Sequence, residues 1–182
     1  MSKREALREL QGRLAVRLQA AQSEGVAASW LAVEARGLRL LFPLSQSGEI
    51  FPWTEPQTVP YAQTWFLGVA NLRGNLLGVA DLASLLARLS PAAAEVVGRH
   101  SSLPRADMRL IAFNAVLEVN CTLLVDKLAG LRHTQDFVQS VAPPAGSSPC
   151  FGHGYTDAQG LFWQEINLQT LSQLPEFLTI SA

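Results

Sequence analysis

The sequence predicts a mainly β protein that contains two related small modules. Short apolar runs of strand length recur along the chain, and glycine-containing turns separate them. Residues 68–85 can also be laid on residues 154–171 without a gap, so that glycines, leucines and an Asp or Asn coincide. Each copy has the pattern of a strand, a tight glycine turn, a second strand and a short capped helix. The agreement of caps and leucines as well as glycines favours a true repeat.

Composition narrows the possible functions. The 182 residues are 48% hydrophobic and only 16% charged, with a net charge of −1, whereas soluble domains average about 25% charged residues. A near-neutral chain has no general electrostatic reason to bind nucleic acid or an anionic membrane. There is no apolar run of the ~20 residues that span a bilayer and no secretory leader pattern. We therefore expect a cytoplasmic protein, not inserted in the membrane, with some apolar surface reserved for partners.

The beginning of the chain, residues 1–27, is predicted to form a separate N-terminal helix. Leu7, Leu10, Leu14 and Leu18 recur at steps of three and four, and the arginines lie largely on other faces. Spacing alone leaves two roles open for this helix. It either covers its own domain or docks on another protein.

The following residues predict the strands of the first module. Arg36-Gly37 joins two apolar runs as a hairpin, and Pro52 indicates that the next run is either an edge strand or an irregular strand. A tight turn at Arg73-Gly74 joins two further strands, and Asp81 is a good N-cap for the helix after them.

A connector without strong periodicity, residues 89–107, separates the two halves and has room for a short helix at 92–97. The second half again has strand patterns, followed by an amphipathic piece that begins at Asn167. The predicted strands lie at 108–113, 119–125, 130–133, 151–156 and 161–166.

Catalytic and cofactor motifs are absent from the sequence. The three histidines, His100, His133 and His153, are far apart and lack metal-ligand spacing. Cys150 and His153 could suggest a hydrolase, but a three-residue step in a Gly/Pro-rich loop does not aim a thiol at an imidazole. There is no phosphate-binding glycine loop, and the basic residues do not interleave with aromatics. We therefore expect no enzyme, no cofactor, no metal and no nucleic-acid partner.

Several motifs of the central segment strongly resemble the CheW-like domain family. They are Glu49-Ile50, Val59-Pro60, the run WFLGVANLRG at 65–74, Val79-Ala-Asp81-Leu82 and the later Leu124-Val-Asp126-Lys-Leu128. The resemblance covers roughly residues 30–174. It implies a CheW-like domain over 28–176 made of two intertwined subdomains, each an SH3-like five-stranded β-barrel with short helices.

The resemblance also implies a function. Members of this family are chemosensory adaptors that link the cytoplasmic tip of a methyl-accepting receptor to the regulatory domain of a CheA-like histidine kinase. Within the family, the chain is most similar to adaptors of the type IV pilus (twitching motility) systems, which implies recruitment to membrane-associated receptor arrays. One alternative is an adaptor for flagellar chemotaxis. Another, from a different class, is a small-ligand-binding β-barrel protein, which predicts a sizeable enclosed pocket.

The resemblance suggests five partner-binding residues, which are Glu49, Ile50, Leu72, Arg73 and Gly74. Arg73 in a tight turn should be exposed, and the family pattern implies an ion pair with Glu49 at the receptor-facing surface. A merely solvated turn arginine is the alternative. Gly74 should supply a positive φ and Leu72 should be mostly core, whereas Ile50 fits either a core or an apolar groove.

Two departures from the family pattern affect these expectations. Gly78 stands where the family often has proline, which would loosen the strand next to the turn. The connector is also longer than usual, which would alter one partner surface.

Overall fold

The computed structural model describes residues 30–100 and 104–182, so the expected helix over 1–27 lies outside the described residues. Eleven strands and four α-helices occur within these two ranges. The strands are β1 (Trp30–Ala35), β2 (Leu38–Pro43), β3 (Ser47–Pro52), β4 (Phe66–Leu72), β5 (Asn75–Asp81), β6 (Arg109–Phe113), β7 (Cys121–Val125), β8 (Lys127–Arg132), β9 (Phe137–Val141), β10 (Phe151–Asp157) and β11 (Phe162–Ile166). The helices are α1 (Leu82–Leu89), α2 (Pro91–Arg99), α3 (Leu168–Gln173) and α4 (Pro175–Leu178).

The strands form two sheets, which confirms the mainly β prediction. The first sheet has the order β8-β1-β2-β11-β10-β9 and the second has the order β3-β6-β7-β5-β4. The expectation of five strands holds for the second sheet, while the first has six. Hydrophobic periodicity did not predict β9, because most of this strand is exposed and it carries no apolar alternation toward the core.

The two sheets share the chain in an intertwined way. The first two strands pair in the same sheet as the last two, and β3 to β7 form the other sheet. The chain returns from the second sheet to the first at Asp126, directly between β7 and β8. The first sheet is therefore made from two separate parts of the sequence, and the second sheet comes from the continuous stretch between them.

The internal repeat is present in the structure. In each copy a hairpin with a positive-φ glycine leads into a helix, with Gly74 at φ +88° and Gly160 at φ +79°. Asp81 caps α1 by accepting the Ser84 amide at 3.0 Å, and Asn167 caps α3 in the same way. The second strand of each hairpin also pairs in parallel with a strand from elsewhere, β5 with β7 and β11 with β2.

Each sheet contributes buried side chains to a cluster on either of its faces, which accounts for much of the apolar content. Alternate residues of β1 face different clusters: Trp30 packs with Leu41 and Trp163, while Val33 faces a larger cluster. That larger cluster, here called the shared core, takes side chains from both sheets and from all four helices. A third cluster, centred on Leu110, lies on the other face of the second sheet and contains Phe51, Ala70, Leu72, Val79 and Leu110.

Candidate partner-binding surface

The β4–β5 turn presents Arg73 to solvent. Arg73 and Gly74 have φ values of 52° and 88°, the left-handed pair that a two-residue type I′ hairpin turn requires. Asn71 holds the turn from one side, because its Oδ1 accepts the Gly74 amide at 2.9 Å. The expected positive φ of Gly74 is thus present, and Arg73 extends from a fixed backbone.

Arg73 forms the ion pair with Glu49 that the resemblance implied. Its Nη1 donates to Glu49 Oε1, and its guanidinium lies over the Phe51 ring, 5.7 Å from the ring centroid. The side chains of Arg73 and Glu49 are 73% and 46% exposed. Such an exposed pair adds only about 0–1 kcal/mol to stability. Its two charges therefore remain accessible to a partner.

The ion pair between Arg73 and Glu49 shows that the second sheet is strongly curved. Glu49 lies on β3 and Arg73 follows β4, and these are the two outermost strands in the sheet order. Their side chains can meet only if the sheet curls until its two edges come together. The first sheet curls as well, since Trp30 of β1 and Phe137 of β9 have ring centroids 5.9 Å apart.

The other expected site residues lie at different depths. Leu72 is buried in the same cluster as Phe51, whose ring lies against the Arg73 guanidinium, so it belongs to the packing that supports this surface. Ile50 is half-buried and packs on the shared core, on the opposite face of β3 from Phe51. The structure therefore brings Glu49, Arg73 and Gly74 together at the surface and places Ile50 away from them. Sequence reasoning missed Phe51, although its place two residues after Glu49 in β3 puts it on the same face.

A polar network that the sequence did not predict connects the two sheets. Arg36 in the β1–β2 turn donates from Nη2 to both carboxylate oxygens of Asp81, at 3.1 and 2.9 Å, and to Ser84. Its backbone amide donates to Asp126 Oδ2 at 2.7 Å. Burial raises the pKa of the Asp126 carboxyl, and the Arg36 amide and charge oppose that rise. The β1–β2 turn is thereby attached both to the start of α1 and to the point where the chain changes sheets.

Two apolar concavities flank the sheets. The larger, of about 850 Å³, lies between the β2–β11 region and the α1–α2 pair, and the smaller, of about 220 Å³, lies beside Trp65. The ligand-binding alternative expects a pocket enclosed by a barrel. The interior clusters around Trp30 and Leu110 are instead packed with side chains, and both concavities lie outside them.

The residues considered for chemistry are not arranged for it. Cys150 is fully buried with its Sγ 3.5 Å from Ser148 Oγ, and burial raises the pKa of its thiol. His153 is exposed on β10, beside Tyr155. Within residues 30–100 and 104–182, no three His, Cys, Asp or Glu side chains gather as a metal site requires. Among the described helices, none has the length and apolarity needed to cross a membrane.

The fold and the Glu49–Arg73 surface define a class of protein. It consists of two related β modules, with an exposed ion pair on one sheet and a large apolar concavity beside the other. Comparison with known proteins specifies the class. Residues 29–176 match the CheW-like domain family, and the chain belongs to that family. It is 28% identical over 165 residues to Protein PilI of Pseudomonas aeruginosa, covering 88% of this chain and 85% of that protein.

A solved structure supports the fold independently. The scaffolding protein TtCheW from Thermoanaerobacter tengcongensis superposes with a TM-score of 0.60 at 14% identity, over 83% of this chain and 96% of that one. The predicted CheW-like fold is confirmed. The CheW-like family is one of non-catalytic adaptors in chemotaxis-type signalling.

Proposed function

We propose that this chain is a chemosensory adaptor that couples methyl-accepting receptors to a CheA-like histidine kinase and acts in control of type IV pilus twitching motility. The observation that carries the proposal is the exposed Glu49–Arg73 pair, presented by a fixed turn in a CheW-like fold. The chain itself carries out no chemical step. Signals pass through it as changes in packing between receptor, adaptor and kinase, in arrays at the cytoplasmic side of the membrane.

The chemistry of the Glu49–Arg73 surface suits a receptor tip. It presents the Arg73 cation and the Glu49 anion, which partly neutralise each other. Charged groups of a partner can therefore form ion pairs with these two side chains at a low cost of desolvation. Gly74 has no atom within 4 Å of its missing Cβ position, which leaves space for a partner to approach the turn backbone. We assign direct contact to Glu49, Arg73 and Gly74, and support of the turn to Leu72.

Apolar side chains elsewhere suit the kinase's regulatory domain, itself of CheW-like fold. Leu131 on β8 and Val138 on β9 are exposed at the two edges of the first sheet. Exposed apolar groups of this kind provide contact area for a second β module. Each contact can be weak, because avidity in an array multiplies the affinities of linked sites.

Similarity to PilI supports the pilus pathway over the flagellar alternative. The decisive comparison is binding to the regulatory domain and receptor tip of each pathway from the same organism. We expect the chain to bind the kinase regulatory domain and the receptor tip of the pilus pathway more tightly. Tighter binding to the two flagellar fragments would instead support the flagellar alternative.

The role of Arg73 is tested by Arg73→Ala and Glu49→Ala in pull-downs with these two fragments. We expect at least about tenfold weaker binding to one fragment, the order expected for an interface hot-spot residue, and a change in unfolding free energy below about 1 kcal/mol. Arg99→Ala is a matched control, because Arg99 forms a similarly exposed ion pair with Glu95, with side-chain exposures of 71% and 65%. Unchanged binding in all three variants would contradict the assignment of this surface.

A charge swap separates two ways in which the pair could act. Arg73→Glu and Glu49→Arg should each weaken binding. If the pair only orients the turn, the double variant restores the ion pair and the binding. If Arg73 itself contacts the partner's acidic groups, the double variant stays defective.

A further inference from the structure

The larger concavity is an apolar groove without an assigned occupant. It has a volume of about 850 Å³, and its walls are β2, β11, the α1–α2 pair and the loop 142–148. Small or apolar side chains form most of the lining, among them Leu40, Leu86, Ala93, Val96 and Phe162. Such a surface favours an apolar occupant that presents large side chains.

The internal repeat supplies an equivalent of this groove on the other sheet. In the alignment that gives the repeat, Leu76 and Gly78 of the small pocket correspond to Phe162 and Gln164 of the groove. The parallel neighbours also correspond, because Gly78 pairs with Cys121 and Gln164 pairs with Leu40. The two concavities therefore occupy the same place in the two copies.

They differ because one is filled from within the chain. Each helix that follows the repeat begins with proline, Pro91 in α2 and Pro175 in α4. Two residues later, α4 has Phe177 and α2 has Ala93, and each of these residues lines its own concavity. Phe177 stacks on Trp65 with ring centroids 5.8 Å apart, whereas Ala93 leaves that space empty.

The segment after α4 also forms part of the wall of the small pocket. The Gln63 amide donates to the Ile180 carbonyl at 2.7 Å, and the Ala182 amide donates to the Tyr61 carbonyl at 2.8 Å. These bonds hold Ile180 against the pocket that it lines. In this fold, a concavity of this kind is thus partly filled by an apolar segment of the same chain.

A segment able to cover the groove precedes β1. Residues 1–29 lie outside the described structure, and they contain the leucine stripe Leu7, Leu10, Leu14 and Leu18. Residues 19–29, if extended, span roughly 36 Å at about 3.3 Å per residue. The distance to be spanned is about the length of β1, because Trp30 begins this strand and Ala35 at its end pairs with Leu38 in the groove wall. At about 3.3 Å per residue, the six residues of β1 are much shorter than this tether. A tether of this length gives an effective concentration near the millimolar range.

We propose that the leucine stripe of residues 7–18 docks in the groove of the same chain. Its leucines take the place that Phe177 and Ile180 fill in the equivalent pocket. Of the two roles that spacing left open, this selects docking on its own domain. The inference does not depend on the proposed signalling function, because it is tested on the isolated chain.

Cysteine pairs test which face of the segment meets the groove. Ala92→Cys at the rim is combined in turn with Leu10→Cys, Leu14→Cys and Leu18→Cys, with Val16→Cys as the control on the opposite face of the predicted helix. Native Cys121 and Cys150 are buried. Under mild air oxidation of the full chain, we expect an intramolecular disulfide in the best leucine pair about tenfold faster than in the Val16 pair, because a disulfide needs Cα atoms within about 7 Å. Equal rates on both faces would overturn the proposal, and disulfides only between molecules would assign the groove to a second copy.

A second variant fills the groove from the helix side. Ala93→Phe reproduces the residue found at the equivalent position and should expel the segment. Trypsin cleavage after Arg13 and Arg17 should then accelerate by about tenfold, since an undocked segment is always open to protease. Ala94→Phe lies on the same helix outside the groove lining and should leave the cleavage rate unchanged. Cleavage that is equally fast in the wild type and in both variants would also overturn docking.

Discussion

At the scale of single residues, Gly68 occupies a position where a side chain would meet backbone. Its φ is +135°, and an added Cβ would lie 2.0 Å from the Gln57 carbonyl oxygen. The segment before β4 runs close there because Gln57 and Val69 exchange two backbone hydrogen bonds, at 2.7 and 2.9 Å. The first glycine of the Gly-Val-Ala-Asn-Leu-Arg-Gly motif is thus required by this close approach of two chain segments.

We predict that Gly68→Ala lowers the free energy of unfolding by about 2–4 kcal/mol, from backbone strain plus overpacking. Gly74→Ala is the matched control, since Gly74 also has a positive φ but faces open space. Its loss should be near 1 kcal/mol, from strain alone. Urea unfolding of both variants measures the difference. Equal losses would show that the Gln57 contact relaxes without cost.

Residue-scale prediction from sequence succeeded where the local chain determines the outcome. The Arg73-Gly74 turn, the Asp81 cap and the hairpin at Arg36-Gly37 follow from turn and cap chemistry within a few residues. The approach of Glu49 to Arg73 was available only through the family resemblance. Contacts that depend on how a sheet curls, such as Phe51 under Arg73, have no local signal.

At the scale of elements, the side chain of Asp81 at the start of α1 makes two interactions, a helix cap and an ion pair. Asp81 caps the helix through the Ser84 amide and also receives the Arg36 guanidinium from the other sheet. The side chains of Arg36 and Asp81 are only 21% and 22% exposed, so solvent screens their pairing incompletely. In the repeat, Asn167 caps α3 as a neutral amide. Asparagine is therefore a sufficient cap in this fold.

This comparison predicts the order of stability for two substitutions. Asp81→Asn should keep the cap and weaken the contact with Arg36, at a cost of about 1–2 kcal/mol. Asp81→Ala loses the cap as well and should cost about 1 kcal/mol more. Asn167→Ala, a cap loss without an ion pair, should cost about 1 kcal/mol by itself. Chemical denaturation of the three variants tests the order, and an Asp81→Asn protein as stable as wild type would mean that the Arg36 contact stabilises nothing.

Element-scale prediction missed what tertiary structure alone determines. The strand β9 forms by pairing with β10 and contributes few buried side chains, so periodicity could not reveal it. The helix α2 extends over Pro91–Arg99, beyond the short helix expected at 92–97. Its cap is local, because Ser90 Oγ accepts the Ala93 amide at 3.3 Å. The helix has few large apolar side chains, so its sequence pattern resembles that of a connector. Its packing beside the groove becomes evident only in the structure.

At the scale of the whole molecule, the repeat suggests two barrels that could fold separately, and the intertwined topology opposes this. Strands from both ends of the described chain complete the first sheet, and the second sheet lies between them in sequence. The shared core takes Val33 and Leu40 from the first sheet and Ile111 and Leu123 from the second. Burying apolar surface jointly makes each sheet depend on the other.

We therefore predict one cooperative unfolding unit. The most protected amides of β1–β2 and of β6–β7 should exchange hydrogen with the same free energy of opening, because both require global unfolding. Phe177→Ala, which removes a buried ring between Trp65 and Phe113, should lower both values equally, by about 3–5 kcal/mol. Val138→Ala, at a side chain that is 71% exposed, should change neither. Loss of protection in β6–β7 alone would mean that the sheets open independently, and a signal that depends on their relative packing would then need a partner to couple them.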